Sequence, residues 1–145
     1  MTRHLIKLCV GVEDVDHLAR LQAGRLADAR RRGETPELKH LTRNAPRQAD
    51  EVLAGGSIYW VIRGLIRVRQ RIVDIRRVER DDGRPACALV LDPALVRTEI
   101  RGFRAFQGWR YLAPEDAPAD APPAKGADGD VPAELAVELK GLGLL

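Results

Sequence analysis

Between Leu65 and Val78 the apolar residues change phase. Ile66, Val68 and Ile72 fall on even positions, and Val73 and Ile75 fall on odd ones. A pleated strand has a period of two, so its buried face cannot change sides without an extra residue, a bend or a bulge. The pattern predicts one long strand bent near Ile72-Val73. Such a strand serves two sides of a small barrel.

The flanking sequence supplies shorter elements. His4 to Val12 alternates as a strand does, with His4, Ile6, Leu8, Val10 and Val12 on one face. Asp14 is placed to cap a helix through Val15, Leu18, Leu21, Leu26 and Ala29, which Gly33 stops. Arg30 to Arg32 suit the negative end of that helix, so they have a capping role before any nucleic-acid one. Pro36 to Thr42 reads as a second strand. Pro46 opens a brief helix through Ala49, Val52 and Leu53, closed by Gly55-Gly56. Ser57 to Arg63 is the clearest strand, rich in β-branched and aromatic residues. Asp81-Asp82-Gly83 is a turn, Ala86 to Leu91 a strand, and Leu95 to Ile100 continues the sheet. Arg101 to Arg110 reads as a loop, yet it carries Phe103, Phe106 and Trp109, of which at least two are expected to pack on the barrel.

After Leu112 the composition changes. Ala113 to Pro132 is dominated by Ala, Pro, Asp and Gly and reads as a flexible acidic linker. Residues 133–145 place Leu135, Leu139 and Leu142 on one face of a short amphipathic helix. The expected organisation is therefore a domain at 1–112, a linker at 113–132 and a helix at 133–145. Charge divides the same way. Residues 1–112 hold 22 cations and 14 acids, a net +8, and residues 113–145 hold 2 and 7, a net −5. Of the 22 cations, 20 are arginine, whose flat fork matches carboxylates and phosphates.

Other chemistry is sparse. Cys9 and Cys87 sit in apolar runs without metal-ligand spacing, and read as small buried hydrophobes. His4, His17 and His40 do not pair at ligand spacing. No nucleophile elbow, phosphate loop or carboxylate pair is recognisable, so no catalytic residue, metal or cofactor is assigned. No long apolar region follows Met1, and no stretch nears the roughly 20 apolar residues that cross a bilayer. A cytoplasmic location without membrane contact is expected.

Three runs, 4–11 (His-Leu-Ile-Lys-Leu-Cys-Val-Gly), 55–64 (Gly-Gly-Ser-Ile-Tyr-Trp-Val-Ile-Arg-Gly) and 106–112 (Phe-Gln-Gly-Trp-Arg-Tyr-Leu), resemble a bacterial family described only as domain of unknown function 1489. Leu41-Thr42-Arg43, residues 68–72 and residues 89–93 extend the resemblance over nearly all of 3–116. Where that family carries a run like Thr-Arg-Met-x-Pro-Lys-Arg, residues 44–48 here keep the proline and one cation. The resemblance implies no activity. The order of elements also resembles the small PUA-like barrels, including the ASCH and EVE groups, many of which bind RNA or modified bases. In those a Thr/Arg-bearing strand precedes a glycine turn near the pocket, as Thr42-Arg43 precedes Gly55-Gly56 here. The fold class expected is α+β: a small, bent mixed β-barrel of PUA-like type, with two flanking helices and a disordered C-terminal tail.

Seven arginines between Arg63 and Arg80 face only Asp74 and Glu79, and Arg67, Arg69 and Arg71 are expected on one strand face. Like charges at that spacing repel, so they need solvent, acids or a polyanion. Tyr59, Trp109 and Tyr111 interleave with Arg63 and Arg110 as stacking platforms would. Trp60 aligns with Ile58 and Ile62 and reads as core. A ligand site is thus expected at Lys39, Thr42, Arg43, Tyr59, Arg63, Arg69, Trp109 and Arg110, serving RNA or a nucleotide. Two other readings use the same residues: a regulatory domain that self-associates, as a homodimer, through the arginine face and acidic tail, and an enzyme acting on a small anion.

Overall fold

The computed structural model describes residues 1–104 and 106–122. The elements are β1 (His4–Leu8), α1 (Val15–Arg31), β2 (Leu38–Thr42), α2 (Ala49–Leu53), β3 (Ser57–Ile62), β4 (Leu65–Glu79), β5 (Pro85–Leu91), β6 (Val96–Gly102) and β7 (Trp109–Leu112), then a 3-10 turn at Pro114–Asp116. The strands form one mixed sheet in the order β2-β5-β4-β3-β1-β7, with β6 also paired to β4. Only β1 and β3 run parallel. The class is α+β.

The phase slip is a bulge. β4 pairs with β3 as far as Arg71 and with β5 from Ile72 onward. The register passes from Ile72↔Leu91 to Asp74↔Val90, so Val73 is the extra residue. Val73 is 50% exposed, while Ile72 is fully buried. A second irregularity lies nearby: Trp60 faces Val68 and Val61 faces Ile66, leaving Arg67 over. Arg67 is only 8% exposed, Arg69 half-buried and Arg71 exposed. The expected row of three solvated arginines does not form, because a bulge residue leaves the alternation that would align it.

The barrel does not close. β2 and β7 are the two ends of the pairing path, and they do not pair. Side chains span the gap instead. The Trp109 indole donates to the Asn44 carbonyl at 2.9 Å, and the Gln48 amide donates to the Tyr111 hydroxyl at 3.1 Å. The loop after β2 therefore meets β7 through two rings rather than a ladder, and α1 lies nearby over β1 and β2. Asp14 caps α1 by accepting from the His17 amide at 2.7 Å.

Both faces of the sheet carry apolar clusters. One holds Leu5, Leu18, Leu38, Val52, Ile58, Trp60, Val68, Ile72 and Leu89, with Trp109 and Tyr111 at its margin. The other holds Ile6, Tyr59, Val61, Ile66 and Leu112, covered by Phe103, Phe106 and Ala117. All three aromatics of the 101–110 stretch thus pack, although that stretch is the end of β6, a loop and the start of β7. β1 stops at Leu8, short of Val12; the chain turns at Gly11, whose φ is 78°.

The first residues of the stretch read as linker lie along β6. Glu99 donates to the Ala119 carbonyl at 2.8 Å and Ala121 to the Arg97 carbonyl at 2.9 Å. The expected helix at 133–145 lies outside the described residues. No helix among the described residues is long and apolar enough to cross a membrane.

Candidate functional site

The gap between β2 and β7 forms a groove of about 990 Å³. Its walls come from β1, the end of β2 and its loop, the end of β4, and β7. Five cations line it: Lys7, Arg43, Arg47, Arg77 and Arg80. No acidic residue does, and none of the five has an ion pair among the described residues. Several arginines elsewhere are paired. Arg3 pairs with Glu51, Arg76 with Glu37 and Asp74, and Arg97 with Asp16. Register explains part of the convergence. Thr42 pairs with Cys87, and Cys87 pairs with Arg77, which aligns the three across the sheet. Trp109 and Tyr111 form the aromatic wall, edge to face at 5.0 Å, and the Arg3 guanidinium sits 5.0 Å from the Tyr111 ring centre.

Thr42 is buried and gives its hydroxyl to the Asn44 carbonyl at 3.0 Å, so it shapes the loop that carries Arg43 and Arg47. The groove is thus a positive, ring-walled channel suited to holding anions, with no nucleophile or acid–base pair evident along it.

A smaller slot of about 150 Å³ lies behind it, between α1, β1 and β2, and shares Lys7 with the groove. His40 lines this slot, with its ring edge-on to Trp60 at 5.0 Å. Its Nε2 is buried and has no hydrogen-bond partner among the described residues. Burial, then the cations Lys7 and Arg25, push its pKa down to about 4, so the ring is neutral at pH 7. Cys9 lines the same slot, and burial raises its thiol to about 11. Such a thiol is protonated and unreactive at neutral pH.

A third concavity, about 340 Å³, opens beside the second apolar cluster. Tyr59 and Arg69 are register partners there. The Arg69 fork meets both oxygens of Asp120, at 2.7 and 2.8 Å, and its third nitrogen donates to Ser57 Oγ at 3.0 Å. The Asp120 carboxyl is held below its ordinary range by that bond.

The eight residues expected to form one site are therefore dispersed. Thr42, Arg43 and Trp109 share the groove; Lys39 lines the slot; Tyr59 and Arg69 share the third cleft. Arg63 occupies the β3–β4 turn at a φ of 51°, and Arg110 lies over the Phe106 ring at 4.8 Å. The groove's Lys7, Arg47, Arg77, Arg80 and Tyr111 were not among the eight. Arg77 and Arg80 belong to a visible arginine run, but only the β4 bulge and the β5 pairing bring them beside Thr42.

A family model described as "Protein of unknown function (DUF1489)" matches residues 5–145. No curated protein and no solved structure matches the chain.

Proposed function

Because this chain belongs to the DUF1489 family of proteins of unknown function, its role must be read from its own surface, and we propose that it binds RNA along the groove between β2 and β7. The observation that carries this is a lining of five cations that holds no acidic residue, none of the five being ion-paired among the described residues. Arg3, Arg76 and Arg97 each have a carboxylate partner. A groove that gathers four arginines and a lysine with no acid in its lining has a field suited to a polyanion. Trp109 and Tyr111 add ring surface on which unpaired bases stack, which favours single strands over duplex. The bent, partly opened sheet with its cleft at the seam also supports placing the architecture near the PUA-like barrels.

The test is fluorescence anisotropy with a labelled single-stranded RNA over a range of salt. Five phosphate contacts predict a slope of about −3 to −4 in log K against log salt. Replacing Arg77 or Arg80 by alanine should weaken binding and make the slope shallower by about 1 or slightly less each. No binding at 20 mM salt, about as permissive a condition as the assay allows, would sink the proposal.

A further inference from the structure

The cleft over Arg69 holds more donors than its occupant uses. Asp120 takes Nε and Nη2 of Arg69, and Ser57 takes Nη1. The Tyr59 hydroxyl donates to no described residue, although Arg69 and Asp120 both lie close enough to act on it electrostatically. His4, also lining the cleft, accepts the Ser57 amide at Nδ1, 3.0 Å away. That bond assigns the proton of the neutral ring to Nε2, a further donor with no acceptor among the described residues. Burial and the positive charge of Arg69 hold the His4 pKa down, so the ring is neutral at pH 7.

These donors outnumber the oxygens of a carboxylate. Two oxygens fill the Arg69 fork. A phosphate monoester presents a third terminal oxygen, and Tyr59 and His4 remain to receive it. The segment that brings Asp120 is held less extensively than a sheet strand: besides the Arg69 pair, Ala117 packs on the second apolar cluster. Two backbone hydrogen bonds join it to β6, and Arg101 reaches the Asp116 carbonyl. Asp120 itself is 48% exposed. A strap with so few contacts opens at small cost compared with the strands beneath.

We propose that Arg69, Tyr59 and His4, with Ser57 holding the third Arg69 nitrogen in place, form a second anion site that takes a phosphate monoester and is occupied in cis by Asp120. It sits apart from the groove and does not depend on the RNA reading. The phosphate belongs either to a free small molecule or to the 5′ end of a nucleic acid; the recognition chemistry is the same.

The probe is phenyl phosphate, titrated calorimetrically into the full chain. Asp120→Asn removes the internal competitor and should tighten binding about tenfold, the factor by which a mostly occupied site lowers apparent affinity. Adding Arg69→Gln should abolish that gain, whereas adding Arg80→Ala, on the groove, should preserve it. An unchanged affinity in Asp120→Asn, or a gain that survives Arg69→Gln, overturns the proposal. A measurement on the unmodified chain guards against misfolded variants: phenyl phosphate should speed hydrogen exchange at the Glu99 and Ala121 amides and leave the β3 amides protected. Unaltered exchange at saturating phenyl phosphate also overturns it. If a 5′-phosphorylated oligonucleotide displaces phenyl phosphate better than its 5′-hydroxyl form, the source is a nucleic-acid end; equal displacement assigns the site to a free phosphorylated molecule.

Discussion

Gln70 carries four side-chain hydrogen bonds, more than any other described residue is shown to make. It is fully buried, and its carbonyl accepts from the Trp60 indole at 2.9 Å and the Gln22 amide at 2.8 Å. Its own amide donates to Gln22 at 2.8 Å and to the Asp92 carbonyl at 3.0 Å. One residue thereby ties β4 to β3, α1 and the β5–β6 turn. Gln70→Ala strands four polar groups at once, and urea unfolding should show a loss of about 2–4 kcal/mol. His40 carries a different liability. Its folded pKa of about 4 lies below the ordinary 6.5, so the folded state prefers the neutral ring. Stability from this group is complete above pH 6.5 and falls as pH drops toward 4, by about 2–3 kcal/mol in all. Urea titrations at pH 7 and pH 4.5 should show a smaller loss in His40→Gln than in the unmodified chain; equal losses would exclude this residue as the cause.

At the scale of elements, the Val73 bulge decides the architecture. Removing Val73 would force the far half of β4 onto the wrong face, turning Ile75 outward and Arg76 inward against β5. Deletion of Val73 should abolish cooperative unfolding, while Val73→Thr, which keeps the bulge, should shift stability by no more than about 0.5 kcal/mol. Circular dichroism melts separate the two outcomes. This feature was legible in the sequence because period two leaves a mark when it breaks. β3, α1 and its Asp14 cap were legible for similar local reasons. β7 was not. Trp109-Arg110-Tyr111-Leu112 is too short to display alternation, and its strand state comes from pairing with β1 over a hundred residues away. The groove was half legible. Thr42, Arg43 and Trp109 stood out by type, but residues 7, 43–47, 77–80 and 109–111 meet only through the sheet order, which no local pattern encodes.

Over the whole molecule, contacts with the sheet continue past Leu112. Residues 113–122 cover Tyr59, supply the acid on Arg69 and add a bridge at Thr98↔Asp120. A chain ending at Pro122 should therefore be more stable than one ending at Leu112, by about 1–3 kcal/mol in urea midpoint analysis. Equal midpoints would mean that the segment rests on the body without supporting it. Charge is divided on the same scale. Acids from the body and from this segment neutralise several arginines in pairs, and five cations without an ion pair among the described residues line the one groove.

The side-chain fastening across that groove has a mechanical consequence. A sheet closed by a full ladder resists changes in girth, because every bond must stretch together. Here the ring is a clasp: two hydrogen bonds, from Trp109 and to Tyr111, fasten its jaws, each worth only about 1 kcal/mol net. The jaws join through continuous sheet on the far side, where β4 bends at Val73. Widening the mouth then breaks two side-chain hydrogen bonds rather than a ladder, and the energy needed to seat a bulky guest is set by those two rings.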